Sequence, residues 1–397
     1  MFPTDVPSFS EFLTSNQFII YAVIALLNGV LLYFSSVKFL LVLQQCGYHG
    51  KKYFKWLGSR ETPYLSRLMI LCLMGFLFFC VLNMSFTMAL GKEIASYVGF
   101  AAYILFTLLY INTESSTNAK VPLKITKRLV RLIITFILFL CAATFGLLIL
   151  LDLISFAIGE RVVAILRYSL ICLMPLLSPY ILFLAYCTNE PLEWGIRTHY
   201  YNVTKERLKK GGLIKVGITG SYGKTSVKEI LRTILSQKYR VLSTPSSFNT
   251  PNGIALTVKN LDSTHDIFLA EMGARYKGDI KYLSKLVDPD IAVLTGINEQ
   301  HLETFKTIEN IEDTKYELFE ELKESGKGFF SSDSEGSVKL SDRFTGEKYV
   351  AGLSGKNNFV RAENITTDMH GTKFDLMIEG EKPVRCSTVL LGKHSIS

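Results

Sequence analysis

Leu213-Ile-Lys-Val-Gly-Ile-Thr-Gly-Ser-Tyr-Gly-Lys-Thr-Ser226 decides how the second half of this chain folds. A short β-rich run leads into a loop with two glycines. The segment Val227–Gln237 then carries apolar residues at helical spacing, at Val227, Ile230, Leu231 and Ile234. Strand, glycine loop and helix is the context that phosphate binding requires. Gly220 and Gly223 free the backbone so that N–H groups turn toward phosphate oxygens. The helix N-terminus adds the positive end of its dipole. Lys224 is placed to neutralise the β- and γ-phosphates, and the Thr225 hydroxyl to ligate Mg²⁺. Ile218 stands where the general GxxxxGK[ST] pattern has its first glycine, so the loop is of the shorter GxxGKT form.

One acid and two bases downstream have readings of their own. Glu271 follows the run His265-Asp-Ile-Phe-Leu-Ala270, at the carboxyl end of a predicted strand. Ligands gather at such ends in open α/β sheets, and a carboxylate suits Mg²⁺, which prefers hard oxygens. A plain surface acid is the alternative. His301 follows a second apolar run, Asp290-Ile-Ala-Val-Leu-Thr295, where spacing alone favours a structural histidine. Lys315 lies on a predicted helix, Ile308–Leu322, where a lone lysine is ordinarily solvated. Asn249 and Thr250 line the site or form a simple turn.

Working outward to the N-terminus, the composition changes. The chain has 397 residues, is 49% hydrophobic and carries a formal charge of +8. The long apolar runs lie before about Cys187. Five segments reach the roughly 20 apolar residues needed to cross a bilayer: Phe18–Val37, Leu68–Leu90, Ile94–Ile111, Leu132–Leu151 and Ala164–Cys187. The first has no basic residues ahead of it, which argues against a signal peptide. Lys and Arg alternate between connections. Lys51, Lys52, Lys55, Arg60 and Arg67 fill the first, and Lys120, Lys124, Lys127, Arg128 and Arg131 the third. The second has only Lys92 and the fourth Arg161. The positive-inside rule then puts the N-terminus outside and the chain beyond the fifth segment in the cytoplasm. Asp152 and Arg167 flank the last connection and read as helix-end residues snorkelling to the interface, with an intramembrane charged pair as the alternative. Pro175 and Pro179 are expected to kink the fifth segment. Residues 189–212 form a polar, basic juxtamembrane linker against anionic headgroups.

Other classes are weakened. No basic stretch interleaves with aromatics as single-strand nucleic-acid binders require, so no nucleic-acid partner is expected. The seven cysteines form no CxxC or Cys/His cluster, which argues against zinc and a disulfide framework and fits a reducing compartment. No Ser/His/Asp pattern competes for a nucleophilic role.

Thr219-Gly-Ser-Tyr-Gly-Lys-Thr-Ser226 resembles the ATP loop of the Mur ligases, which build the peptidoglycan stem peptide. Ser247-Phe-Asn-Thr-Pro-Asn-Gly253, Ala270-Glu-Met-Gly-Ala274, Gln300-His-Leu-Glu-Thr-Phe305, Thr314-Lys-Tyr-Glu-Leu318 and Gly392-Lys-His394 follow in the family's order. The resemblance runs from about Ile214 to the end, and the member that adds D-alanyl-D-alanine looks most similar. It implies an α/β P-loop domain of Mur central type (213–397), in a bacterium; the apolar segments add an α-helical membrane domain before it (1–188, about five transmembrane helices), with the P-loop domain on the cytoplasmic side. It implies ATP held by Gly220, Ser221, Tyr222, Gly223, Lys224, Thr225, Ser226, Asn249 and Asn298. It implies Mg²⁺ on Thr225, Glu271, His301 and Lys315, the lysine being carbamylated. Lys224, Lys315 and His301 would serve the chemistry, an amide ligation through an acyl phosphate. The partners implied are a cell-wall precursor, lipid-linked on this reading, an amino acid or dipeptide amine, and membrane lipids. Ser395 stands where the family usually has Asn, and Ser332 where Asn tends to precede Asp333, which leaves nucleotide details open. The chain reaches Ser397 where the family's C-terminal domain would begin. The expectation is therefore an incomplete ligase with weak ATP binding, its last domain missing or supplied by a partner. The competing class is a noncatalytic, sensor or transport membrane protein reusing the same ATP-binding domain.

Overall fold

In a computed structural model of the chain, the described residues are 16–59, 63–90, 98, 101, 103–105, 107, 108, 111, 122–299, 302–353, 358–393 and 396. The chain divides into two compact units, Met1–Gly195 and Ile196–Ser397.

Among the described residues, the first unit is built from helices α1 (Asn16–Ser35), α2 (Val37–Gln45), α3 (Gly50–Leu57), α4 (Pro63–Leu90), α5 (Lys127–Ile158) and α6 (Glu160–Ile171), with the first part of α7 (Met174–Leu208). Helices α1 and α5 pack along their lengths. Gly29 makes this close: a Cβ there would lie 2.4 Å from Cys141 Sγ. The buried Asn28 donates to Thr144 Oγ1 across the same interface at 3.0 Å. The Thr126 hydroxyl caps α5 by accepting from Leu129 N–H at 3.1 Å.

Two described helices are long and apolar enough to cross a membrane, Asn16–Ser35 and Lys127–Ser155. This corrects the five expected spans. Leu68–Leu90 falls within α4, of which only Cys72–Val81 stands as a shorter apolar helix among the described residues. Most of Ile94–Ile111 lies outside the described residues. Ala164–Cys187 is no single helix: α6 ends at Ile171 and α7 begins at Met174. Pro175 falls in the first turn of α7, where a missing N–H costs no helical hydrogen bond. The helix then continues through Pro179 and Pro191 as far as Leu208. Asp152 and Arg167 do not snorkel apart. They form an ion pair at 2.5 Å, and Tyr21 and Gln17 donate to the other carboxylate oxygen.

The second unit is an α/β fold. Its elements are β1 (Ile214–Thr219), α8 (Lys224–Leu235), β2 (Val241–Ser243), α9 (Pro251–Val258), β3 (Ile267–Glu271), α10 (Asp279–Val287), β4 (Ile291–Leu294), α11 (Leu302–Phe305), α12 (Ile308–Glu320), β5 (Lys327–Ser331), α13 (Glu335–Arg343), β6 (Glu347–Ala351), β7 (Val360–Asp368), β8 (Gly371–Ile378) and β9 (Val384–Thr388). They form a nine-stranded sheet in the order β2-β3-β1-β4-β5-β6-β7-β8-β9. Neighbours from β2 to β7 are parallel, and β7, β8 and β9 pair antiparallel. Strand β3 is buried along its whole length, and β1 from Lys215 to Thr219. Both read as near-continuous runs because parallel strands covered on both faces need no polar alternation. Ile267 and Leu269 point to one face, packing with Leu231 and Leu235 of α8. Phe268 and Ala270 point to the other, into a core with Leu283, Leu318 and Phe330. Strand β1 lies between β3 and β4, so the chain changes direction across the sheet at its carboxyl end. That is the topological switch point where ligands bind in open α/β sheets.

Candidate phosphate and cation site

The loop from Gly220 to Gly223 leaves β1 at the switch point. Gly220 has φ +151°, and a Cβ there would lie 2.1 Å from Thr295 Oγ1 and 3.1 Å from the Gly296 nitrogen. The close approach of the segment after β4 therefore demands glycine. Gly223, at φ +77°, is the left-handed N-cap of α8. Ser221 donates its N–H to the Gly296 carbonyl at 2.7 Å and its hydroxyl to the Asn298 carbonyl at 3.2 Å. Thr295 donates to the Tyr222 carbonyl. The Tyr222 ring covers Gly296, where a Cβ would meet it at 2.5 Å. These bonds fix the loop's shape before any ligand arrives.

Lys224 Nζ donates to the Gly220 carbonyl at 2.6 Å and to the Ser221 carbonyl at 3.2 Å. Its side chain is folded over the loop. Burial lowers its pKa, and the Glu271 carboxylate acts the other way. Thr225, one residue on, donates to Glu271 Oε2 at 3.0 Å. Asn249 Nδ2 approaches Glu271 Oε1 at 3.3 Å, and the Asn249 carbonyl accepts from Gly273 N–H at 3.0 Å. Gly273 has no side chain because Asn249 fills that space, 2.7 Å from an added Cβ. Glu271 is 1% exposed, at the end of β3. Its backbone N–H donates to the buried Thr244 hydroxyl at 3.1 Å. A hydroxyl and an adjoining carboxylate at the mouth of a phosphate loop form a hard-oxygen donor set, and such a set fits Mg²⁺.

Lys315, on α12, is 4% exposed and has no hydrogen bond or ion pair among the described residues. Its pKa is lowered to about 8. Burial is the first cause and the Lys224 ammonium the second, with Asp279 and Glu317 opposing. Glu317 is already engaged: it accepts from the N–H groups of Gly278 and Lys281, at 2.7 and 2.9 Å, at the start of α10.

The loop, Lys224, Thr225, Asn249 and Glu271 are thus brought together, with Lys315 within electrostatic reach of Lys224. Ser226 is exposed on α8, and Asn298 reaches the loop through its backbone. His301, Gln300, His394 and Ser395 lie outside the described residues. Among the described residues no three His, Cys, Asp or Glu side chains cluster as metal ligands.

One central residue was not singled out by the sequence reading. Lys228 is wholly buried and donates to Glu271 Oε2 at 3.2 Å and to the Ser246 carbonyl at 2.5 Å. The signal was present in the phase of α8. Its sheet-facing stripe runs Lys228, Leu231, Leu235, whereas Ile230 and Ile234 are 38% and 61% exposed. The stripe read from apolar residues alone was rotated away from the one that packs.

Residues 218–397 match the Mur ligase middle domain. A UDP-N-acetylmuramoyl-tripeptide--D-alanyl-D-alanine ligase of Buchnera aphidicola subsp. Baizongia pistaciae is 35% identical over 182 residues, covering 46% of this chain and 39% of that protein. The protein of the same name from Bacillus subtilis is 32% identical over 200 residues, covering 50% and 42%. Among solved structures, a MurF ligase from Thermotoga maritima in complex with ADP is 30% identical, covering 48% of this chain and 44% of that one, with a TM-score of 0.43. The chain spans about two-fifths of the length of the curated relatives it matches.

Proposed function

We propose that this protein is an ATP-dependent amide ligase of the Mur type, acting on a peptidoglycan precursor through an acyl phosphate. The observation that carries the reading is the meeting of Thr225 and Glu271 at the mouth of the Gly220–Thr225 loop, on a segment that matches the Mur ligase middle domain.

In this reading the loop N–H groups and the start of α8 hold the phosphates of ATP. Lys224 exchanges the Gly220 and Ser221 carbonyls for phosphate oxygens. Thr225 and Glu271, with His301, supply oxygen and nitrogen donors for Mg²⁺, which would neutralise charge on the transferring phosphoryl group. The substrate carboxylate attacks the γ-phosphorus, the bond to the bridging oxygen breaks, and ADP leaves. The amine then attacks the acyl carbon, loses a proton, and inorganic phosphate leaves. Positioning and charge neutralisation suffice for the first step, so no nucleophilic side chain is needed. Lys315 is suited to carbamylation. With a pKa of about 8, a neutral amine is available near neutrality to add CO₂. The carbamate would convert a buried cation beside Lys224 into a further oxygen donor.

The named function of the relatives makes a UDP-N-acetylmuramoyl tripeptide and D-alanyl-D-alanine the first substrates to test. The membrane reading adds that the precursor is lipid-linked. Support comes from two apolar helices of spanning length, and a unit that uses ATP would have to lie on the cytoplasmic side of a bacterial membrane. Full-length protein in detergent should release ADP only when both a tripeptide precursor and D-alanyl-D-alanine are supplied, and more with the lipid-linked precursor. ADP release indifferent to the acceptors would sink the ligase reading. A preference for the UDP-linked form would sink the lipid-linked one.

A further inference from the structure

Lys228 and Lys224 are four residues apart and so share a face of α8. Lys224 lies over the phosphate loop. Lys228 lies one turn deeper, wholly buried behind Glu271. A buried ammonium is costly unless paired and hydrogen-bonded. Here the pairing is specific: Glu271 Oε2 at 3.2 Å and the Ser246 carbonyl at 2.5 Å. Ser246 sits at φ +47°, in the loop after β2 that also carries Asn249. Lys228 therefore joins α8, that loop and the end of β3 through one atom. Glu229 approaches the ammonium at 3.6 Å, but it is 42% exposed and pairs with Arg232 at 2.8 Å.

The charges around the donor set can be counted from the described residues that face it. Glu271 contributes one negative charge from β3. Lys224 and Lys228 contribute two positive charges from α8. Lys315 faces the site from α12 and adds positive charge when protonated. Asp279 and Glu317 lie near Lys315, and both are committed to backbone N–H groups around the start of α10. Without phosphates the charges of Glu271, Lys224 and Lys228 sum to net positive, which repels a free divalent cation. A nucleotide's phosphates reverse that sign.

We propose that Lys228 is the resident counter-ion of Glu271: it holds the carboxylate aligned with Thr225, and it makes divalent-cation binding depend on the nucleotide's phosphates. Lys228 is a positioning residue, since it acts through Glu271. The inference rests on the reading of Thr225 and Glu271 as cation ligands, and not on amide ligation, so it can be tested in protein that turns nothing over.

Mn²⁺, which takes the same oxygen donors as Mg²⁺, provides the probe. Free Mn²⁺ is followed by electron paramagnetic resonance during titration of the full chain in detergent, with and without ADP. Wild type and Lys228→Arg should bind Mn²⁺ at a Glu271-dependent site only with ADP present, and Glu271→Gln should abolish that binding. Lys228→Met should bind Mn²⁺ without nucleotide, at least about tenfold more tightly than wild type, as expected when one unit charge is removed beside a divalent ion. The gain should vanish in Lys228→Met/Glu271→Gln. Should Lys228→Met not fold, Lys228→Gln gives the same reading, because it still donates to the Ser246 carbonyl without a charge. Unchanged or weaker nucleotide-free binding in the uncharged variant overturns the inference. Binding indifferent to Glu271→Gln overturns the cation-site reading beneath it.

Discussion

Lys315 is held in a state that the folded protein disfavours. Its ordinary pKa of 10.5 falls to about 8 because burial strips its hydration and Lys224 repels it. Below pH 8 the fold carries the cost of a buried ammonium with no ion-pair partner among the described residues. Between about 8 and 10.5 the native amine is neutral while the unfolded one is still charged. The unfolded state then binds more protons, and stability rises with pH. Lys315→Met should therefore stabilise the protein in CO₂-free buffer, by about 1–3 kcal/mol at pH 7. The difference should shrink toward zero by pH 10.5. Chemical denaturation of both proteins across this range checks it; a destabilised variant at pH 7 would show that Lys315 has a compensating partner. This residue also marks where sequence reading stops. A lysine on a predicted helix reads as solvated by default. Only the packing of α12 on the sheet reveals that it is 4% exposed.

At the scale of elements, the phosphate loop was legible and its supports were not. The order of strand, glycines, lysine, threonine and helix is local, so the sequence contains it. The clamp on that loop comes from the segment after β4, more than seventy residues away. Gly220 shows how tight the clamp is. Gly220→Ala would meet both Thr295 Oγ1 at 2.1 Å and the Gly296 backbone at 3.1 Å, at φ +151°. The variant should destabilise the unit by about 2–4 kcal/mol and weaken ADP binding at least tenfold. Adding Thr295→Ala removes the nearer clash but leaves the backbone contact and the strained φ. It should not restore binding measured by titration calorimetry; full rescue would reduce the glycine's role to one side-chain clash. The same limit explains the misread phase of α8. Helical periodicity identifies a stripe of apolar residues, but Lys228 occupies the stripe that packs, because its partner Glu271 arrives from β3. Hydropathy misplaces a buried charge whose partner is distant in sequence. It also overcounts spans: apolar content alone joined Ala164–Cys187 across the break between α6 and α7.

For the whole molecule, the decisive property is that each unit has a core of its own. The second unit buries Phe268, Leu283, Leu286, Leu318 and Phe330 on one face of its sheet and Val216, Ile218, Ile267 and Leu269 on the other. Helix α7 runs through the boundary near Gly195, and its last turns contribute Leu208 and Tyr201 to the second core. Arg207 also donates to the carbonyls of Val258 and Lys259. A cut placed at Ile196 keeps those contacts, whereas one at Leu213 removes them. Residues 196–397 should therefore fold cooperatively, remain in the supernatant after lysis, and bind MgADP within about threefold of the full chain, a difference below 1 kcal/mol. Residues 213–397 should melt at a lower temperature, by several degrees, having lost a packed helical turn. Residues 1–195, which hold both helices of spanning length, should sediment with membranes and resist carbonate extraction. Thermal melts, calorimetry and fractionation of the three fragments decide each point. Aggregation of 196–397 with loss of nucleotide binding would mean that its core depends on the first unit. Release of 1–195 by carbonate would mean that its apolar helices bury one another instead of facing lipid.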